Sequence, residues 1–379
     1  MKVLMLGRFE LLDKGGGDKI QIENTAKELR KLGVSVDIKV GLKNDLQPYD
    51  IILVFQLDWT PETYLYAEAV KKAGKPFVLS PIHHNVEEVK KFDDEYVFDF
   101  RRVAKLLFKE QHNRDTFKNV YRSIFDRKKL KPTIKSVMVG LKKMHTKTLS
   151  MADVVLVQTE AEVKDLQRTY SVDFKWKKIP NGVGETFMSI KDYENKLDFK
   201  NYIICVGRIE PRKNQLNIIK AVKSFRTKYA LDTKLVLIGS KVGEKHFEYL
   251  YRFNKELRQN PWIAHIERVP YEEMPHYYHF AKVGVSASWF ETTGLTSLEA
   301  LYCGANAVAA GDRAGEYLGD LVSYCHPYDT DSIEKAIEKE YFAQRPNISE
   351  TMQNEYTWQN AARMTLEVYN SLMGETAKK

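Results

Sequence analysis

Arg208 and Lys213 sit in the stretch Gly207-Arg208-Ile209-Glu210-Pro211-Arg212-Lys213-Asn214, directly after an apolar run over 201–207. A glycine lets the backbone leave a strand sharply, an arginine offers a planar fork to oxygen anions, and a lysine adds a point charge beside a helix start that is itself partly positive. Together they describe a diphosphate site; two surface cations on a loop is the other reading. The second constellation is Phe290-Glu291-Thr292-Thr293-Gly294-Leu295-Thr296-Ser297-Leu298-Glu299-Ala300-Leu301. A strand ending near Ser288 delivers Glu291, Gly294 permits close backbone approach, and a helix starting near Leu295 aims N–H groups at whatever sits there. Glu299 falls about one turn inside that helix. Two carboxylates so spaced suit the hydroxyls of a sugar or ribose, although Glu299 could instead cap the helix's first turn.

Two further groups lie in the first half. Lys14-Gly15-Gly16-Gly17-Asp18 has the look of a phosphate cradle without the spacing of a dinucleotide fold or a P-loop, and Asp18 is equally a helix N-cap. His83 and His84 follow an apolar run and could bond a substrate hydroxyl or oxyanion; alternatively one packs inside and the other faces water. No third ligand stands at a zinc spacing. His276 and His279 are expected in ordinary surface or core roles, and Asp329-Thr330-Asp331 reads better as the N-cap of a helix over 332–340 than as a metal motif.

These residues need a scaffold. The chain has 379 residues, 43% hydrophobic, 29% charged and 12% aromatic, the balance of a folded protein with about two domains. Strand and helix patterns alternate: strands at 2–7, from 34, at 51–56, from 77 and at 152–159, with helices at 18–32, from 61 to 74 and at 160–168. Residues 86–150 break the rhythm with a charged, helix-compatible insertion. A second series follows: strands at 201–207, 234–239, 263–269, 283–288 and 306–310, with helices from 214, to about 257, from 272 and over 295–303. Pro180, Asn181, Gly182 and Gly184 mark the join. The expected fold is α/β, two Rossmann-like doubly wound domains facing across a cleft, where loops at the carboxyl ends of the strands bind ligands. The domains are expected at 1–183 and 184–356.

Cys205, Cys303 and Cys325 are far apart, so neither a zinc site nor a disulfide framework is indicated. The first apolar run is too short for a signal peptide, and no run reaches the ~18 residues of a membrane span. A cytoplasmic location is expected. Net charge is +8, but residues 101–150 carry 15 Lys/Arg against 3 acids, net +12. Such a segment seeks phosphate, an anionic lipid surface or an acidic polymer, unless it is only a solvated helical face. Peripheral contact at the inner face of the membrane is one expectation, and no nucleic-acid partner is expected.

The Arg208/Lys213 element, the Glu-x7-Glu element, the glycine-rich first loop, PNGVGETF, LIGS and a C-terminal YTWQNAARMTLEVY, in that order, resemble glycosyltransferase family 4. The resemblance covers most of the chain except the insertion. It implies the GT-B fold, a retaining transfer from a nucleotide-diphosphate sugar to a saccharide or lipid-linked acceptor, and no metal cofactor. It implies roles for Arg208 and Lys213 at the donor diphosphate, Glu299 at the ribose and Glu291 at the sugar hydroxyls. Gly294 and Leu295 match amides near sugar and phosphate, Gly16 and Gly17 the loop over the phosphates, and His84, less surely His83, the histidine facing the donor sugar. A final helix, about 357–375, would cross back onto the first domain. The chain departs from the pattern in its bare triple glycine, in Gly184 and Asn85 where aspartate is frequent, and in its basic insertion.

Two rival readings share parts of this pattern. A GT-B nucleotide-sugar 2-epimerase has the same nucleotide site, and a noncatalytic polyanion-binding protein would use residues 101–150.

Overall fold

The computed structural model describes residues 1–13, 16–58, 60–95, 101–190, 192–242 and 246–376. The chain divides into two units: Met1–Glu87, Arg101–Gly182 and Glu355–Lys379 form the first, Glu88–Phe100 and Val183–Asn354 the second. Each is built on a six-stranded, all-parallel sheet flanked by helices.

The first sheet contains β1 (Lys2–Leu6), β2 (Ser35–Lys39), β3 (Ile51–Phe55), β4 (Phe77–Ser80), β5 (Val154–Val157) and β6 (Trp176–Lys178), in the order β2-β1-β3-β4-β5-β6. Sequences such as IILVF are apolar at every position because helices cover both faces of a parallel sheet, and all five residues of β3 are buried. The chain leaves β1 to one side and returns to the other, so the topology switches between β1 and β3. The loops leaving those two strands carry Gly16 and Asp58.

The second sheet contains β7 (Tyr202–Val206), β8 (Leu235–Ile238), β9 (Ile263–Ile266), β10 (Ala281–Val285), β11 (Asn306–Ala310) and β12 (Ser323–Cys325), in the order β12-β11-β10-β7-β8-β9. Its switch lies between β7 and β10, whose exit loops carry Arg208, Lys213 and Glu291. Open α/β sheets bind ligands at such points.

Several boundaries differ from expectation. β10 begins at Ala281 and stops at Val285 rather than spanning 283–288. Ser286 N–H still reaches Val308 C=O (2.9 Å), after which the chain turns so that Trp289 N–H bonds Arg212 C=O (3.0 Å). The three-residue edge strands β6 and β12 were not anticipated; each is too short to show a period. Asp18 does not cap the first helix, Gly17–Lys31. It lies inside the first turn, where its carboxylate accepts from Gly16 N–H (3.0 Å) and from Arg8 Nε (2.6 Å). Asp329 does cap the helix Thr330–Phe342, accepting from the N–H groups of Asp331 (2.9 Å) and Ser332 (3.2 Å).

Among the described residues the insertion is helical, as expected, but the helix Val86–Glu95 meets the second unit: its Val89 and Phe92 bury against Trp289 and Phe290. The last helix, Trp358–Thr376, packs on Gly17–Lys31 and buries Trp358, Ala362 and Tyr369 within the first unit. The three cysteines are free and buried.

Candidate active site

In the second unit the site begins with backbone fit. Gly207 and Gly239, leaving adjacent strands, hold φ of +147° and +151°, and a Cβ on Gly239 would lie 2.1 Å from the Gly207 carbonyl oxygen. The two exit loops therefore touch backbone to backbone. The Lys213 stem lies over Gly207, its Cε 3.3 Å from where a Cβ would stand. A single 3-10 turn, Pro211–Lys213, returns the chain to the helix Gln215–Tyr229.

Asn214, fully buried at φ +62°, donates to Ala287 C=O (2.9 Å) and Pro327 C=O (2.6 Å), tying this loop to the one leaving β10. Gln215, also fully buried, donates to Arg208 C=O (2.9 Å) and accepts from the Tyr249 hydroxyl (2.8 Å). Arg208 is thus held from below while its side chain stays 41% exposed.

Five charged groups form a ladder on these loops. Arg208 and Arg212 both donate to Glu210 Oε1 (3.2 and 3.3 Å), Arg212 reaches Glu291 Oε2 (3.6 Å), and Lys213 is ion-paired with Glu291 Oε1. Burial pushes the Glu291 carboxyl up, but Lys213 and Arg212 overcome it and bring it to about 2. Glu210 moves down the same way, against its burial, beside Arg212 and Arg208. Three cations face two ionised carboxylates, so the ladder keeps an excess positive charge, and its most exposed member is Arg208.

Glu299 has a different environment. It lies on the helix Leu295–Tyr302, entered through Gly294 at φ +74°, and its oxygens accept from Tyr271 (3.0 Å) and Tyr278 (3.2 Å) hydroxyls. It therefore does not cap its own helix. Burial pushes its carboxyl up to about 7, with the two hydroxyls acting against the rise. Gly184 abuts the same cluster: a Cβ there would stand 2.9 Å from the Tyr271 ring. A side chain at 184 would displace the tyrosine that holds Glu299.

In the first unit, Asp58 organises both histidines. Its Oδ1 is 2.5 Å from His83 Nδ1, and its Oδ2 accepts from His84 N–H (2.7 Å) and bonds His84 Nδ1 (2.8 Å). Burial alone would push the Asp58 carboxyl up; the two imidazoles hold it far below the usual range. His83 N–H also donates to Glu162 (2.8 Å). The His83 side chain is sealed, next to Tyr170, whose hydroxyl bonds His112 (3.2 Å) and His145 (3.1 Å). Burial pulls these two imidazoles down to about 4 and about 3. His84 keeps an 11% exposed side chain, so it is the histidine of the pair that reaches solvent. Ile82, just before them, holds φ +45°, an unfavourable angle for a β-branched residue. Gly16 gives its N–H to Asp18, and Gly17 opens the following helix with open space where a Cβ would go; Lys14 and Gly15 lie outside the described residues.

Arg208, Lys213, Glu291, Gly294, Leu295 and Glu299 are thus collected around one sheet switch, and Gly16, Gly17, His83 and His84 belong to the other unit. Sequence reading missed Arg212, Glu210, Asn214, Asp58, Tyr271 and Tyr278. Only Arg212 and Glu210 carried a local signal, being interleaved with Arg208 and Lys213. His276 and His279 have ordinary partners, the Glu194 N–H (3.0 Å) and the Cys303 carbonyl (3.2 Å).

Residues 189–350 match the family model of glycosyl transferases group 1. Among curated proteins the chain is similar to the O-antigen chain mannosyltransferase B of Escherichia coli, at 26% identity over 51% of each chain. The chain spans about half the length of the curated relatives it matches, or less. Among solved structures it is similar to sucrose-phosphate synthase from Thermosynechococcus elongatus, with TM-score 0.74 and 15% identity over 99% of each chain. It is also similar to Anabaena HepE in complex with UDP, with TM-score 0.62 and 15% identity over the whole of both chains. The two parallel six-stranded sheets with flanking helices are those of the GT-B fold.

Proposed function

Because residues 189–350 match the family model of glycosyl transferases group 1, we propose that the protein is a retaining glycosyltransferase that moves a hexose from a nucleotide-diphosphate sugar to a hydroxyl of a saccharide or lipid-linked acceptor. The observation that carries this reading is the ladder Arg208–Glu210–Arg212–Glu291–Lys213 at the sheet switch, which keeps positive charge where the fold class binds ligands. The likeness to an O-antigen chain mannosyltransferase supports polysaccharide, lipopolysaccharide or glycolipid synthesis as the setting.

Cleaving the anomeric C–O bond leaves negative charge on the diphosphate and oxocarbenium character on the sugar. Fixed cations lower that barrier because they are oriented before the charge develops. Arg208 and Lys213 are assigned to the diphosphate, Glu291 to the sugar hydroxyls, Glu299 to the ribose, and the Gly294 and Leu295 amides to sugar and phosphate. In the first unit, Gly16 and Gly17 are assigned to phosphate, and His84, with His83 behind it on Asp58, to the sugar. The acceptor oxygen bonds C1 on the face the leaving group vacates, and its proton passes to the leaving phosphate oxygen. No divalent metal is required, because protein cations meet the leaving charge.

The test is thermal stabilisation by a panel including GDP-mannose and UDP-glucose, followed by product analysis with acceptors. A ligand that binds only the folded state raises the melting point. One donor should stabilise the wild type and fail to stabilise the Arg208→Ala/Lys213→Ala protein. Equal stabilisation of both would remove the diphosphate assignment, and turnover of the donor to its 2-epimer without acceptor would replace transfer by epimerisation.

A further inference from the structure

The helices of the basic segment are amphipathic with their faces reversed. Arg101–Leu107, Gln111–Phe125 and Leu130–Val139 pack in series within the first unit. The longest of them buries Gln111, Arg114, Asp115, Lys118 and Asn119. Asp115 accepts from Gln111 (3.1 Å) and Lys118 (3.0 Å), and Arg114 donates to Phe108 C=O (2.8 Å), so the inward face is polar and hydrogen-bonded.

The outward face is apolar. Each helix ends in an adjacent exposed pair: Leu106 and Leu107 (83% and 62%), Ile124 and Phe125 (70% and 75%), Val137 and Met138 (60% and 79%). Among the described residues, 11 of the 23 exposed large apolar side chains fall between positions 103 and 138. Scattered exposed apolar groups are ordinary, whereas a concentration of them on three helices packed in series is the mark of an interaction site.

Exposed lysines lie among these pairs in sequence, including Lys105, Lys109, Lys128 and Lys131, in a stretch of net charge +12. Apolar residues projecting from a cationic surface match one environment best, the boundary of an anionic bilayer, where side chains enter the acyl region and ammonium groups meet phosphate. A second copy of the chain would oppose the same charge to itself. No helix among the described residues is long and apolar enough to cross a membrane, so such contact would be peripheral.

We infer that the helices 101–107, 111–125 and 130–139 dock this protein on an anionic lipid surface, with the pairs 106/107, 124/125 and 137/138 inserted. The inference is independent of the donor assignment. It is tested by co-sedimentation of the full chain with vesicles of phosphatidylcholine alone or mixed with phosphatidylglycerol. Binding should require the anionic lipid, weaken as salt rises, and fall about tenfold or more in Ile124→Asp/Phe125→Asp and, separately, in Leu106→Asp/Leu107→Asp. Because these side chains are exposed, melting temperatures should stay at the wild-type value; the two variants lie on different helices, so a folding defect in one leaves the other decisive. Sedimentation indifferent to anionic lipid, or variants that bind as the wild type does, would overturn the inference. So would a wild type that ignores vesicles but dimerises through these tips, becoming monomeric on Ile124→Asp/Phe125→Asp.

Discussion

Lys213 and Glu291, 78 positions apart, form one ion pair that joins the exit loops of β7 and β10. Each is mostly buried, with 15% and 17% of its side chain exposed, so removing one strands the other's charge. Lys213→Ala and Glu291→Ala should each destabilise the fold by about 2 kcal/mol, and the double variant by clearly less than the sum, with a coupling of about 1–3 kcal/mol. Chemical denaturation of the four proteins measures this. Turnover of Lys213→Ala should fall on the order of 10²-fold, the loss typical of one preorganised stabilising group; strictly additive stabilities would mean the pair is not coupled.

Glu299 predicts a pH dependence of opposite sign to that of Glu291. Its carboxyl is raised from 4.5 to about 7 in the folded state. The stability it contributes is fully present below the unfolded value and is lost as pH rises through the folded one, up to about 3 kcal/mol. Glu291, lowered to about 2, contributes stability that is present above 4.5 and is lost as pH falls toward its folded value. Melting curves between about pH 5 and 8 should show wild-type stability declining, and Glu299→Gln should flatten that decline and melt higher at the alkaline end. A Glu299→Gln profile that parallels the wild type would exclude Glu299 as the titrating group.

The two histidines should separate in function and stability. His83 is fully buried on Asp58, so Asp58→Ala removes the buried carboxylate that both imidazoles bond and should cost about 3 kcal/mol. His84→Ala should cost less in stability than Asp58→Ala, because its side chain reaches solvent, while lowering kcat by about tenfold or more. Urea titration and steady-state assay on the same preparations decide it. If the costs are reversed, His83 is the residue serving the reaction.

Gly182 sets how closely the chain approaches the start of the last helix. A Cβ there would lie 2.1 Å from the Thr357 carbonyl carbon and 2.3 Å from the Trp358 nitrogen, both backbone atoms with no room to yield. Gly182→Ala should cost more than about 2 kcal/mol, the scale of overpacking against backbone, against a neutral outcome for an exposed surface control such as Lys27→Ala. Calorimetry of the two variants provides the comparison.

Much of this architecture was readable in the chain because a parallel sheet covered on both faces imposes near-continuous apolar strands, as in 51–55 and 202–206. The site loops were readable for a related reason: Arg208, Lys213 and Glu291 each follow such a strand closely. Asp58 was not, since a single aspartate after β3 gives no local sign that it will grip two imidazoles 25 and 26 positions later. Tyr271 and Tyr278 meet Glu299 only through packing of separate elements. In the basic segment the charge was visible, but which helical face turns inward is decided by the neighbours of Arg114, Asp115 and Lys118 rather than by the period itself.

The helix Trp358–Thr376 completes a unit whose other parts precede Val183. A ribosome therefore finishes the whole of Val183–Asn354 while the earlier half still shows water the apolar groove that Trp358, Ala362 and Tyr369 will fill. The portion made first is thus the one whose last structural piece is made last.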